Sequence, residues 1–228
     1  MGGGTSGGPP PPDVDAVIFD GGVPTQNIRS DRAANQSPID NTKTGITNLS
    51  SDVGITAAGA TGDYSTISGG NHNAATAQDS TVGGGNTNTA SSLSATVAGG
   101  STNTASGSLS TVAGGNGNTA SGLGSTVCGG FGNGASGPGA FTGGGNGNAA
   151  NGDFAAVPGG QGNAANGLHS AIGGGFENSA GADYASIKGG HGGNAQRTGQ
   201  SSQGFGFSTT VGDRQRSIYG VFGEDGGD

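Results

Sequence analysis

The stretch STVAGGNGNTASG (Ser110–Gly122) is one copy of a fifteen-residue block that recurs nine times in register between Asp63 and Arg197. Each block has a branched apolar residue or, once, Thr three positions before the second glycine of its Gly-Gly pair. The position of Asn118 holds Asn in eight of the nine blocks, and the position of Ala120 holds Ala in all nine. A fixed period without insertions is typical of a solenoid, in which each block forms one coil stacked on the last.

The pattern within one block predicts two strands and two turns. Ser110 and Val112 alternate with Thr111, so two of these side chains face inward and one faces outward. The Gly-Gly pair turns the chain, and the second strand places Ala120 inward. Two strands of about five residues each fit in a coil, and nine coils stacked at ~4.8 Å span about 43 Å. We therefore predict an all-β fold, a parallel β-roll or β-solenoid of about nine coils, with the Asn column stacked as an amide ladder.

The inward positions of this coil are small. Each block offers one Val or Ile (Thr142 in one block), one Ala, and one Ser or Ala. Such side chains bury little apolar surface per coil compared with the conformational entropy lost on ordering fifteen residues. We therefore expect the rolls to pack side by side as a symmetric homo-oligomer.

Charge and composition exclude several classes of function. The 228 residues include 55 glycines and carry a net charge of −8, and no Lys or Arg lies between Lys43 and Lys188. A nucleic-acid surface needs clustered cations, so we expect no nucleic-acid partner. No run approaches the ~20 apolar residues of a membrane helix, so no membrane span is expected either. The single cysteine, Cys128, excludes a disulfide framework within one chain.

The repeat offers little catalytic or metal-binding chemistry. His72 and His191 fall on one turn row but in the first and last blocks, while His169 falls on the opposite turn. Gly114–Asn118 superficially matches a calcium-binding repeat, yet the period differs and Asn stands where calcium needs a carboxylate. We therefore expect a non-enzymatic protein without catalytic residues, metal or cofactor.

The period divides the chain into four segments. Residues 1–12 form a Gly/Pro arm, and residues 13–62 form an N-terminal segment with a short apolar run and several basic residues. Residues 63–197 form the repeat domain. Residues 198–228 are rich in aromatic residues, and we expect them to cap the last coil or to present a binding tip. We expect the N-terminal segment to contact a neighbouring protein, with these candidate residues: Val17, Ile18, Phe19, Arg29 and Arg32.

The variable positions of the two turns are the candidate contact surfaces. Aromatic residues on turns held by a rigid scaffold suit recognition of a partner. The candidates for receptor contact are Phe131, Phe176, His191, Tyr184 and Phe154. A row of leucines on one turn predicts a seam between chains, formed by Leu93, Leu109, Leu123 and Leu168. Phe131 and Phe176 could equally contact a receptor or lie in the seam between chains.

The pattern Ser-Thr-Val-x-Gly-Gly-x-x-Asn-Thr-Ala-Ser-Gly in Ser110–Gly122 resembles the head repeats of YadA-like trimeric autotransporter adhesins. It is still more similar to the related repeats of bacteriophage tail and head fibres. The resemblance covers the repeat domain and implies left-handed parallel β-rolls, three chains side by side around one axis. The block departs from the family in being slightly longer, and no coiled-coil stalk accompanies it.

The resemblance and the composition together indicate a structural fibre or spike protein of a virus, in the form of a bacteriophage tail or head fibre. Its partners would be two further copies of itself, capsid or tail proteins at the N-terminal segment, and a host surface receptor or glycan. Its location would be the virion, after assembly in the host cytoplasm. One alternative is a bacterial adhesin head at the cell surface, which the lack of a visible secretion signal and membrane anchor disfavours.

A second alternative is an ice-binding solenoid. Outward threonines recur at the same block position in five consecutive blocks and could order water in a flat array: Thr66, Thr81, Thr96, Thr111 and Thr126. The column ends at Phe141, and an ordinary β-branched outer face or a chain-to-chain seam explains it equally well.

Overall fold

The computed structural model describes residues 59–204 and two further strands, Thr47–Asn48 and Gln215–Ile218. Every regular element in this part is a β-strand, which confirms the predicted all-β class there. Among the described residues, no helix is long and apolar enough to cross a membrane. Arg29 and the other candidates for N-terminal attachment lie outside the described residues.

Strands β1 to β21, numbered along the chain, form two sheets in the described part. The first sheet contains β1 (Thr47–Asn48), β2 (Thr66–Ile67), β4 (Thr81–Val82), β6 (Thr96–Val97), β8 (Thr111–Val112), β10 (Thr126–Val127), β12 (Phe141–Thr142), β14 (Ala156–Val157), β16 (Ala171–Ile172), β18 (Ser186–Ile187), β20 (Ser201–Gly204) and β21 (Gln215–Ile218). The second contains β3 (Ala74–Ala75), β5 (Thr89–Ala90), β7 (Thr104–Ala105), β9 (Thr119–Ala120), β11 (Gly134–Ala135), β13 (Ala149–Ala150), β15 (Ala164–Ala165), β17 (Ser179–Ala180) and β19 (Asn194–Ala195).

Neighbouring strands in both sheets are parallel and one block apart. Thr126 of β10 pairs with Thr111 on one side and with Phe141 on the other. Ala135 of β11 pairs in the same way with Ala120 and Ala150. Equivalent block positions therefore stack directly above one another, and the predicted parallel β-solenoid of about nine fifteen-residue coils is confirmed.

The two ends of the first sheet depart from this register. Thr47 of β1 pairs with Thr66 of β2, nineteen residues further along the chain, so this pair departs from the fifteen-residue spacing. At the other end β20 continues the parallel stack beside β18, and β21 then pairs with β20 in the antiparallel direction. The four-residue β21 thus covers the backbone edge that β20 would otherwise present to a further strand.

The strands are shorter than the sequence predicted, because each of the two strands in a regular coil has two residues instead of about five. A third parallel ladder, one residue wide, runs along the turn that follows each Gly-Gly pair, from Asn71 to His191. Left-handed backbone explains the difference, because each coil bends at several positions of positive φ. In one coil these are Thr102 (φ 56°) and Leu109 (φ 59°), and the next Gly-Gly pair adds Gly115 (φ 85°).

Four inward columns make the core. In one coil they are Ser110, Val112, Asn118 and Ala120, and all four side chains are fully buried. The outward Thr111 between the first two is half-buried, which confirms the predicted alternation. No fully buried side chain in the described part is larger than Ile. The sequence reasoning identified three of these columns but missed that Asn also points inward.

The Asn column does not stack as the simple amide ladder that was predicted. Nδ2 of Asn118 donates to the carbonyl of Gly114 at 2.8 Å and to the carbonyl of Gly130 in the next coil at 3.0 Å. Its Oδ1 accepts the backbone N–H of Asn133 at 2.9 Å. All eight Asn side chains repeat these three contacts, and amide-to-amide bonds add to them only at Asn163 and Asn178. The amides satisfy backbone groups at the Gly-Gly turn, because a buried carbonyl or N–H needs a partner.

The second residue of each Gly-Gly pair must be glycine because neighbouring coils approach each other closely there. A Cβ at Gly115 would lie 2.2 Å from the carbonyl oxygen of Gly130 and 2.6 Å from Nδ2 of Asn118. No side chain fits there, so the Asn amide reaches both turns only because this position is glycine.

Candidate functional site

One edge of the solenoid carries most of its exposed large apolar residues. We call it the Leu edge and define it by the two turn positions that precede the inward Ser or Ala of each coil. Its large side chains are Tyr64, Leu93, Leu109, Leu123, Phe154, Leu168, His169 and Tyr184. Leu109, the most exposed of them, has 61% of its surface accessible, whereas Leu168 is half-buried. The edge runs the length of the solenoid because equivalent positions stack coil upon coil.

Three rings of the Leu edge stack on one another in consecutive coils. The ring centroids of Phe154 and His169 are 5.1 Å apart and the planes differ by 10°. Those of His169 and Tyr184 are 5.4 Å apart with planes 19° apart. Such offset stacking is favourable and covers the inner ring faces. The stack therefore presents ring edges to its surroundings more than ring faces.

The stacked rings occupy strained backbone. Phe154, His169 and Tyr184 have φ of 54°, 52° and 56°, in the left-handed region that glycine adopts freely. Gly124 and Gly139 hold the same position in the two preceding coils. An L-residue costs about 1–2 kcal/mol there, and residues in such conformations cluster at contact and functional sites. This cost marks the Leu edge as a candidate contact surface.

The other turn carries a single file of side chains in the third, one-residue ladder. We call the part from Asn116 to Phe176 the comb, and its members are Asn116, Phe131, Asn146, Gln161 and Phe176. All five are exposed, with 59% of Phe131 and 38% of Phe176 accessible. Neighbouring members belong to neighbouring coils, so the side chains follow one another at ~4.8 Å steps along the axis.

Beyond Phe176, the next residue of the row is His191. The rings of Phe176 and His191 lie 5.0 Å apart at an angle of 49°. Nε2 of His191 is 3.8 Å from Oε2 of Glu177, a pair that is ionic when the imidazole is protonated. The predicted contact residue His191 is thus packed against Phe176 at the C-terminal end of the comb.

The structure sorts the predicted contact residues onto two edges. Leu93, Leu123 and Leu168 form one row of the Leu edge, and Leu109 lies in the adjacent row with Phe154 and Tyr184. Phe131, Phe176 and His191 lie on the comb side. Sequence analysis correctly placed His169 on the same turn as the leucines, but it missed that His169 stacks with Phe154 and Tyr184. The available signal was three rings at one block position in consecutive blocks.

The described residues hold few groups for catalysis or metal binding. Among them, no three or more His, Cys, Asp and Glu side chains come together as metal ligands. Buried hydroxyls without a hydrogen-bond partner occur at Ser65, Ser110, Ser125 and Ser170. These hydroxyls lie in the closed core, where a substrate has no access.

No protein-family model matches the chain, and no curated protein shows significant similarity to it. The surfaces of the solenoid are therefore the basis for inferring its function.

Proposed function

We propose that the chain is a non-enzymatic structural fibre or spike protein of a virus, a bacteriophage tail or head fibre, located on the virion. Three copies lie side by side, and the solenoid displays a host-attachment surface. The observation that carries the proposal is the Leu edge, a column of exposed leucines and aromatic rings along a solenoid whose own core contains nothing larger than Ile. Carboxylates accompany this column toward its two ends, at Asp63, Asp79, Asp153 and Asp183. The sequence resemblance to fibre and adhesin heads supports the same assignment.

The Leu edge suits a second copy of the chain better than an unrelated partner. Its large apolar side chains recur at intervals of one or two coils along the edge, at Tyr64, Leu93, Leu109, Leu123, Phe154, Leu168 and Tyr184. A parallel copy has the same coil rise and offers the same side chains at the same heights. Burying Leu and aromatic side chains between copies stabilises the assembly by about 1.5–3 kcal/mol for each fully buried group.

Assigning the Leu edge to the seam changes the role of two predicted receptor residues. Phe154 and Tyr184 lie on that edge, so a neighbouring chain would cover them. Phe131, Phe176 and His191 lie on the other turn and remain accessible for host attachment. We therefore place the attachment surface on the comb side and the seam on the Leu edge.

Sedimentation equilibrium of the full chain tests the seam. We expect a trimer for the wild type and a monomer for the double variant Leu109→Glu/Leu123→Glu, because six carboxylates would meet in the apolar seam. Phe131→Glu, an equally exposed aromatic residue on the other edge, is the matched control and should remain trimeric. A wild type that sediments as a monomer, or a double variant that stays trimeric, contradicts the seam.

The N-terminal residues are proposed to attach the fibre to capsid or tail proteins through Val17, Ile18, Phe19, Arg29 and Arg32. Deleting residues 1–46 keeps β1 and the solenoid. We expect the truncated chain to remain folded by circular dichroism yet to be missing from particles. Immunogold labelling with antibodies against residues 59–204 measures this. Labelling of particles that carry only the truncated chain would refute attachment through this segment.

An ice-binding role is the second candidate, supported by one structural observation. Thr66, Thr81, Thr96, Thr111 and Thr126 stack in register on the outer side of the first sheet. If this array binds ice, the protein shows thermal hysteresis and loses it on Thr96→Tyr. Absence of hysteresis in the wild type rules out this role and leaves the fibre proposal intact.

The bacterial adhesin head remains an alternative because its repeats resemble the same block. The two proposals differ in location. Antibodies against residues 59–204 should label virions if the chain is a fibre, and the bacterial surface if it is an adhesin.

A further inference from the structure

The comb stands alone on its edge because glycines flank it on both sides. The residue before each member is the second glycine of the Gly-Gly pair, and the residue after the first four members is Gly117, Gly132, Gly147 or Gly162. A Cβ built at Gly132 or Gly147 meets no atom within 4 Å. A ligand that follows the solenoid axis therefore reaches the first four comb side chains from both flanks.

The amides of the comb are free to bind a ligand. Within residues 59–204, the side chains of Asn116, Asn146 and Gln161 make no hydrogen bond to other protein groups. The inward Asn118, two residues from Asn116, uses both amide atoms in contacts with the backbone. Each free amide offers two N–H donors and an acceptor oxygen. The comb thus presents hydrogen-bonding groups in successive coils.

Phe131 is exposed over 59% of its surface, and its ring is not stacked on another aromatic ring in the described part of the chain. Its neighbours in the ladder are Asn116 and Asn146. Phe154 on the Leu edge differs, because His169 covers one of its faces. A ligand with C–H groups can therefore contact the ring of Phe131 without displacing an aromatic neighbour.

The absence of charge on the comb disfavours charged ligands. The five comb residues and the glycines beside them carry no charge, and their one charged neighbour in the sequence is Glu177, which follows Phe176 at the C-terminal end of the comb. The whole chain is acidic and has no Lys or Arg between Lys43 and Lys188. A polyanion finds no cation on this edge and is repelled by the chain as a whole. The comb is therefore suited to a neutral ligand.

The backbone of the comb argues against an extended peptide as the ligand. Its N–H groups donate along the axis to carbonyls of the next coil, as from Phe131 to Gly145 at 2.9 Å. No strand edge is left for a peptide main chain to pair with at this position. Recognition must then use side-chain amides and ring faces, which bind the hydroxyl groups and apolar ring faces of sugars.

We propose that the comb binds a neutral glycan chain that lies along the solenoid axis, stacking on Phe131 and Phe176 and donating and accepting hydrogen bonds at Asn146 and Gln161. The coil step of ~4.8 Å is comparable to the length of one sugar unit, so successive units meet successive comb residues. This inference rests on the proposed function in one respect, since it takes the comb side to lie outside the seam.

Affinity electrophoresis of the full chain in gels that contain dextran, laminarin, galactomannan, xyloglucan or anionic alginate tests the proposal. We expect retardation by at least one neutral polysaccharide and none by alginate. Phe131→Ala and Gln161→Ala should each weaken the retarding interaction by about tenfold or more, as truncation of central contact residues does. Phe141→Ala on the outer side of the first sheet, away from both the comb and the Leu edge, is the matched control and should be retarded like the wild type.

A steric variant separates loss of binding from loss of folding. Gly147→Thr adds a side chain in the open space beside Asn146, at the block position where Thr87 and Thr102 occur naturally with φ of 57° and 56°. We expect normal circular dichroism and weakened retardation. Retardation by no neutral polysaccharide, retardation by alginate alone, or unchanged retardation of Phe131→Ala, Gln161→Ala and Gly147→Thr overturns the proposal. Immunogold labelling of virions reports on the fibre role separately, so each hypothesis can fail without the other.

Discussion

Asn118 illustrates how single residues hold the coils together. Its amide spans the Gly-Gly turns of two coils, with bonds of 2.8 and 3.0 Å to their carbonyls, and its oxygen accepts the N–H of Asn133. The side chain is fully buried, so water cannot replace these contacts. One small polar residue per coil therefore fixes turn geometry and joins each coil to the next.

Replacing Asn118 with Ala should lower the free energy of unfolding by about 3 kcal/mol, because buried carbonyl and N–H groups lose their partners. Asn116→Ala is the matched control, since that amide is exposed and makes no hydrogen bond to the protein; its effect should stay within ~0.5 kcal/mol. Urea denaturation followed by circular dichroism measures both. Equal effects of the two variants would show that the buried amide contributes nothing specific.

The buried serines offer a second comparison. The hydroxyl of Ser125 has no partner in the core, and Ala already occupies the same position at Ala140 and Ala155. Ser125→Ala should be neutral or stabilising, because an unpaired buried hydroxyl is costly. Ser80 donates to the carbonyl of Ala77 at 2.6 Å, so Ser80→Ala should destabilise by about 1 kcal/mol. Thermal unfolding ranks the two, and the reverse order would contradict this account.

At the scale of elements, turns shape this fold more than strands do. Each regular coil has only two residues in each of its two paired strands. The remaining positions bend through left-handed conformations, which the sequence marks only partly with glycine, since Leu109 and Phe154 adopt them as well. Sequence patterns predict the inward and outward faces of such strands, but not how short the strands are.

Gly130 and Gly132, in one turn, distinguish two reasons why a position requires glycine: a steric clash with the next coil, and a left-handed backbone conformation. Gly130 and Gly132 both have positive φ, 86° and 64°, but only at Gly130 would a Cβ meet the next coil, 2.3 Å from the oxygen of Gly145. Gly130→Ala should destabilise by roughly 3 kcal/mol or more, because backbone must move, and Gly132→Ala by about 1 kcal/mol. Chemical denaturation measures the difference, and similar losses would mean that φ alone dictates both glycines.

At the scale of the whole molecule, the solenoid is a stack in which each coil contacts its neighbours. Thr126 pairs with Thr111 and Phe141 and with nothing further along the stack. Stability in such a structure is close to a sum of coil and interface contributions. The length of the solenoid is then adjustable, provided that equivalent positions remain aligned.

Deleting residues 110–124 should therefore give a folded solenoid that is one coil shorter, because Leu109 is then followed by Ser125 in correct register. Deleting residues 110–125 leaves the joined coil one residue short and without its inward Ser, so its strands cannot pair in register with both neighbouring coils. Far-UV circular dichroism and thermal unfolding should show a cooperative transition for the first variant and a loss of structure for the second. Two equally stable variants would refute the importance of register.

The candidate site was predictable in part. Block alignment alone places Phe131 and Phe176 on one turn and Leu93, Leu109, Leu123 and Leu168 on the other, because stacking makes sequence period equal to spatial column. The stack of Phe154, His169 and Tyr184 and the free amides of the comb depend on ring planes and hydrogen-bond partners. Sequence spacing places side chains in a column but does not set how they are oriented within it.

The sequence by itself determined the class of fold, the period and the inward positions of Val112 and Ala120, because a repeat without insertions admits only stacking of equivalent residues. The tertiary structure alone decided the role of the Asn column. From the sequence, Asn118 could have lain on a polar turn or in an amide ladder. In the structure it points inward because its amide donates to the carbonyls of two Gly-Gly turns, and these carbonyls come close together only when the coils stack. The same stacking leaves Asn116, two residues earlier, exposed and free to bind a ligand.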